Sequence, residues 1–125
     1  MAKETDYTAK ILTELRKDKN FYAFKYVQSG FSRIGVPDLI ICYKGLFIGA
    51  EVKMVGNDFS DQQVYNIMLI NKAGGCGIGL WVAPKSKVSQ TQYAVDIHPE
   101  TKEGRETLEW VSLPDLIHSI KDLKI

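Results

Sequence analysis

The chain has 125 residues, 45% of them hydrophobic and 25% charged, with a formal net charge of +1. That length suits one compact domain with a sizeable core and is too short for two, and the near-neutral charge neither demands nor excludes a nucleic-acid partner. No apolar run approaches the ~18 residues of a membrane span, and the cysteines Cys42 and Cys76 sit in apolar runs without metal-ligand spacing, as buried free thiols do.

The opening MAKETDYTAK is polar and lacks a signal-peptide pattern, so a reducing cytoplasm is the expected compartment. Residues 5–18 predict a helix capped by Thr5 or Asp6, with Thr8, Ile11, Leu12 and Leu15 forming one stripe at helical spacing. FYAFKYVQ, 21–28, predicts a strand, and SGFSRIGVP, 29–37, a loop. Residues 38–43 and 46–53 predict two strands around Lys44-Gly45. After a polar loop over 56–60, Ser60 and Gln63 have capping-box spacing for a helix that ends at Gly74. CGIGLWVAP predicts a further strand. The remainder predicts a hairpin with arms TQYAVDIH and ETLEWVSL, then a helix begun by Pro114. The expected fold class is α/β, a mixed sheet flanked by helices in the order αβββαβ. A core over 1–87 and an extension over 88–125 form a single domain. Through Lys87 there are 12 Lys and Arg against 8 Asp and Glu, and from Val88 onward 4 against 7. A solvated face explains so small an excess, although basic side chains are also what a phosphate backbone requires.

The chemistry concentrates in GVPDLIICYKGLFIGAEVK, residues 35–53. A two-residue turn at Lys44-Gly45 pairs Tyr43 with Leu46, Ile41 with Ile48 and Asp38 with Glu51. Directly opposed residues have Cβ atoms ~4.5–5.5 Å apart, and alternation puts Lys53 on the face of Glu51. Two opposed carboxylates repel unless a cation lies between them. Mg²⁺ takes one or two carboxylates and then accepts phosphate oxygens. The alternative is an Asp/Glu pair at a wet strand end, neutralised by Lys53. A three-residue loop would shift the register and separate the pair.

Gly35-Val36-Pro37-Asp38 followed by Glu51-Val52-Lys53 resembles the signature of PD-(D/E)XK nucleases, and within them the VRR-NUC family. Six motifs occur in order from residue 3 to about 84: Glu4, Ser29-Gly30, Gly35–Asp38, Glu51–Lys53, Ser60–Gln63 and Gly74-Gly75. The resemblance implies metal-dependent phosphodiester hydrolysis. Asp38, Glu51 and the Val52 carbonyl would hold Mg²⁺ or Mn²⁺, and Lys53 would orient water or the phosphate. Gln63 matches the family's helix glutamine, and Glu4 is a candidate further ligand. Each has a second reading, the capping box for Gln63 and helix N-terminal charge for Glu4. Ser29, Gly30, Arg33, Lys25 and Lys44 are candidate DNA contacts. His98 and His118 read as surface or packing residues, and the glycines from Gly74 to Gly79 as a connection. Trp81 and Trp110 read as core residues, with base stacking as the alternative.

By analogy with small stand-alone members of that family, the expectation is a structure-specific DNA endonuclease of recombination or repair. It would resemble a Holliday junction resolvase, act as a homodimer on branched DNA and leave 5′-phosphate and 3′-hydroxyl ends. The analogy extends to a phage or bacterial origin and so to a host cytoplasm. The competing expectations are a non-catalytic DNA-binding module and a restriction-type endonuclease.

Overall fold

A computed structural model describes residues 2–30, 33–85 and 88–124. In chain order the elements are helix α1 (Glu4–Leu15), strands β1 (Phe21–Lys25), β2 (Leu39–Tyr43) and β3 (Leu46–Met54), helix α2 (Asp61–Lys72), strands β4 (Cys76–Ala83) and β5 (Gln92–Asp96), a 3₁₀ turn (Arg105–Thr107) and helix α3 (Leu113–Lys121). One sheet takes all five strands in sequence order, β1-β2-β3-β4-β5. All neighbours are antiparallel except β3 and β4, which α2 joins as a parallel crossover. The expected α/β class is observed, as a mixed five-stranded sheet with three helices.

The hairpin has the register that a two-residue turn dictates, with Tyr43 opposite Leu46, Ile41 opposite Ile48 and Leu39 opposite Ala50. Lys44 (φ 47°) and Gly45 (φ 88°) are both left-handed, the type I′ geometry that matches strand twist. Among the described residues Lys44 is the one non-glycine with positive φ. Its ammonium lies 5.6 Å from the Tyr43 ring centroid. Lys44→Asn is expected to stabilise the chain by about 0.5–1 kcal/mol, since ~1–2 kcal/mol of left-handed strain is relieved and ~0.5–1 kcal/mol of cation–π attraction is lost. Urea unfolding checks this.

The main core lies between the sheet and helices α1 and α3. Ile11, Leu15, Leu116 and Ile120 meet Leu39, Ile41, Ile48, Ala50 and Leu80, all fully buried. Each such Leu or Ile contributes about 1.5–3 kcal/mol by leaving water. On the other face α2 lies against β3 and β4, which glycines permit. A Cβ on Gly77 would lie 2.6 Å from the Ile67 carbonyl oxygen, and one on Gly79 2.6 Å from Phe59 Cζ. The run from Gly74 to Gly79 is therefore more than a connection, since its later glycines seat the helix.

Four expectations are corrected. Helix α1 begins at Glu4 with Lys3 at its N-cap and ends at Leu15. The caps are not Thr5 or Asp6, although Asp6 Oδ2 accepts the Lys3 N–H at 2.7 Å. β5 joins the main sheet, and ETLEWVSL is no hairpin arm. It opens with the 3₁₀ turn and makes one bridge, Val111 to Tyr93, because Leu108 and Trp110 pack on Phe59 and Trp81 instead. The helices expected to flank the sheet do not extend over the outer face of the hairpin. On the α2 side Phe47 is 44% exposed, Ile40 and Cys42 are half-buried, and Tyr22 and Phe24 stand open beside them. Finally, β1 stops at Lys25, though Tyr26 still donates to the Asp38 carbonyl. Its outer edge is occupied where Arg16 Nε donates to the Ala23 carbonyl at 3.2 Å, which blunts edge-to-edge pairing. Of the residues flanking the division between core and extension, Lys87 lies outside the described residues, as do Phe31 and Ser32 of the predicted loop.

Candidate active site

Asp38 and Glu51 meet at the end of the hairpin away from its turn. β2 residues 39 and 41 and β3 residues 48, 50 and 52 point into the main core, so alternation sends Asp38, Glu51 and Lys53 to the α2 face. Asp38 Oδ2 accepts the Val52 N–H at 3.1 Å. In a strand the N–H and C=O of one residue open toward the same edge. The register would place Pro37 opposite Val52, and proline has no N–H to offer that carbonyl. The sequence Pro-Asp thus ends the ladder and offers the Val52 carbonyl no N–H from that position. The chain turns off at Pro37, whose ring packs near Gly49, where an added Cβ would lie 3.1 Å from Pro37 Cγ. Gly35 (φ 84°) holds the same turn against the backbone of Gln62.

Glu51 is 2% exposed. Its Oε1 accepts from Gln63 Nε2 at 2.9 Å, whereas its Oε2 is buried without a hydrogen-bond partner among the described residues. Burial chiefly, and the adjacent Asp38 carboxylate next, push the Glu51 carboxyl up to about 9, against a smaller opposing pull from Lys53. An orphaned carboxylate oxygen facing a second carboxylate is an environment that a divalent cation satisfies. The donor set fits such an ion, with two carboxylates, one main-chain carbonyl, and Lys53 on the same face. Among the described residues no three Asp, Glu, His or Cys side chains gather into a metal cluster.

Gln63 serves both of its readings at once. Its backbone N–H donates to Ser60 Oγ at 3.2 Å, and its Oε1 accepts the Ser60 N–H at 2.8 Å. The remaining amide N–H₂ reaches Glu51. Glu4 also reaches the sheet, where its Oε2 accepts from the Met54 N–H at 2.8 Å and from Asn57 Nδ2 at 2.7 Å. It therefore sits at the end of β3, on the edge whose Val52 N–H Asp38 accepts, two residues further along. Asn57 was not foreseen. Its signal is a polar residue in the Gly56-Asn57 turn that directly follows Glu51–Lys53.

The candidate DNA contacts scatter. Ser29 and Gly30 are exposed on the segment that leads toward Asp38, and Arg33 borders a hollow with Phe47 and Asn66. Lys25 pairs with Leu39 and so projects from the opposite face of the sheet. Lys44 lies at the far end of the hairpin, ~17 Å away by strand rise. His98 is exposed and pairs with Glu100 at 3.2 Å, and His118 is exposed on α3. Trp81 is a core residue, its indole N–H bonded to the buried Asp96 at 3.0 Å.

The chain thus combines a mixed five-stranded sheet and three helices with a pair of carboxylates at one strand end. The chain is similar in structure to Hjc, a Holliday junction resolvase of the archaeal hyperthermophile Archaeoglobus fulgidus, at a TM-score of 0.59 over 92% of this chain and 89% of that one, with 18% sequence identity. No family model and no curated protein sequence matches the chain.

Proposed function

We propose that this chain is a metal-dependent, structure-specific DNA endonuclease that hydrolyses phosphodiester bonds at branched DNA such as a Holliday junction. The observation that carries the reading is the convergence of Asp38 and Glu51, with one carboxylate oxygen buried and orphaned, on the face that presents Lys53. The likeness to a resolvase supports the branched substrate. Asp38, Glu51 and the Val52 carbonyl would hold Mg²⁺ or Mn²⁺, and Gln63 would fix the Glu51 carboxylate through Oε1. When bound, such a cation lowers the pKa of a water and neutralises charge on the phosphate. Lys53 would hold the attacking water or a phosphate oxygen in line. Glu4 would add negative charge at the end of β3, anchored there by Met54 and Asn57. Ser29, Gly30 and Arg33 would track the DNA backbone. Lys25 and Lys44 would meet only a duplex that wraps the hairpin.

A homodimer would present two sites to two strands. It rests on the resolvase likeness and on the uncovered apolar face of β1 and β2, a kind of surface that marks interaction sites. The same reading includes VRR-NUC membership, a phage or bacterial source and a role in recombination or repair.

The test is cleavage of linear duplex, single-stranded, flap and four-way-junction DNA in Mg²⁺, Mn²⁺ or EDTA. The expected result is paired incision of the junction in either metal and none in EDTA. DNA binding that EDTA leaves unchanged, with no cleavage in either metal, would establish the non-catalytic module. Cutting of linear duplex at one sequence would establish the restriction-type enzyme.

A further inference from the structure

β3 ends at Met54, and the turn that follows, Val55, Gly56 and Asn57, forms one side of a hollow of about 230 Å³. The opposite side comes from the extension, through Arg105, Leu108 and Trp110, with Trp81 of β4 behind them. Trp81 is the register partner of Lys53 on the neighbouring strand, so the hollow adjoins the candidate active site. The Arg105 guanidinium lies 5.0 Å from the Trp81 ring centroid and 5.8 Å from that of Phe59. It is held there by Asp58, 3.0 Å from Arg105 Nη2, which also pairs with Lys102 at 3.3 Å.

Two buried side-chain nitrogen or oxygen atoms lack a hydrogen-bond partner among the described residues. One is Glu51 Oε2, and the other is Arg105 Nε. Native structures leave few such atoms, and each calls for an explanation. Glu51 has one in the cation it would hold. Arg105 belongs to the hollow next door. Trp110 is half-buried there, with much of its indole already committed to the Phe59–Trp81 cluster and the rest open. Asn57 spends its amide N–H₂ on Glu4, and its Oδ1 makes no hydrogen bond among the described residues. At Gly56 an added Cβ would meet nothing within 4 Å, so the floor is open.

We propose that this hollow is a nucleobase pocket, which takes the base of a nucleotide neighbouring the phosphate at Asp38 and Glu51. Trp110 is the stacking platform, Arg105 supplies cationic character on the same wall, and the Asn57 carbonyl on the facing wall accepts from a base amine. Stacking of this kind tolerates any base, because every base has a π-face. A branch point supplies bases that are unpaired or easily unstacked. The inference rests on the nuclease reading and assigns the extension a part in it.

The test uses the Asp38→Asn chain in Mg²⁺, where binding is read without cleavage. Trp81 and Trp110 are the only tryptophans. Saturating four-way-junction DNA is expected to quench their emission, and Trp110→Phe to remove most of the quench. Trp110→Ala is expected to weaken binding, read by anisotropy of a labelled junction, by about 10-fold or more, with Trp110→Phe restoring part of it. The quench is measured with Trp110 in place, so the test survives if Trp110→Ala does not fold. Tight binding with unchanged emission, or with equal affinity in Trp110→Ala, overturns the pocket and leaves the nuclease reading standing. Absence of cleavage by the unsubstituted chain overturns the nuclease reading instead, and absence of DNA binding overturns both.

Discussion

Asp38→Asn is expected to lower metal-dependent cleavage by at least about 10³-fold while the chain stays folded. The substitution would remove one of the two proposed charged ligands but keep an oxygen that accepts the Val52 N–H, now 3.1 Å from Asp38 Oδ2. The strand end therefore keeps its shape and loses its affinity for the cation. Lys53→Ala is expected to fall by about 10²–10³-fold for a different reason, because the charge that holds water or phosphate is lost while both carboxylates remain. Isothermal titration with Mn²⁺ separates the two, with binding weakened in Asp38→Asn and retained in Lys53→Ala. Unchanged cleavage in both variants, with circular dichroism unaltered, would remove the mechanism.

The second large effect concerns pH. In the metal-free chain the Glu51 carboxyl is pushed up to about 9 from an ordinary 4.5. The folded state thus keeps a proton that the unfolded chain has already released. Stability from this group is fully present below about 4.5 and is lost as pH rises toward 9, at no more than about 1.4 kcal/mol per pH unit. Asp18, held low chiefly by its hydrogen bond with Lys121, and Asp58, held low chiefly by the Phe59 N–H and then by Arg105, lie below this window. Cys76 and Tyr93, raised by burial, titrate above it. Urea unfolding at pH 5, 7 and 9 should show a steady fall. Glu51→Gln should flatten it, and saturating Mg²⁺ should reverse it at pH 8 in the unsubstituted chain alone. A metal-free chain that grows more stable across that range would contradict the buried, orphaned carboxyl.

How much of this was legible in the sequence depends on the distance over which each contact acts. The hairpin register followed from two residues, because Lys44-Gly45 adopts a turn whose geometry admits one pairing. That register carried Asp38, Glu51 and Lys53 to one place. The capping box was legible for the same reason, being a matter of three residues. The bond from Gln63 to Glu51 and the reach of Glu4 to Met54 depend on how helices dock, which periodicity does not encode. The second hairpin arm was misread because its alternating pattern fits a strand, while the partner it needed was less attractive than the aromatic cluster of Phe59 and Trp81. The role of the glycines in β4 was missed because a glycine's contribution there is the space it leaves for Ile67 and Phe59, which only the packed structure displays.

Gln63 links local stability to readiness for chemistry. One side chain closes the first turn of α2 and also grips Glu51, so the helix start cannot fray without releasing the acid. On the proposed reading, any fluctuation that loosens Ser60 would switch the site off, and any drift that improves the cap at the expense of the amide would do the same. The two properties are inherited as one trait, with the tightness of a helix end setting how long the carboxylate stays aimed.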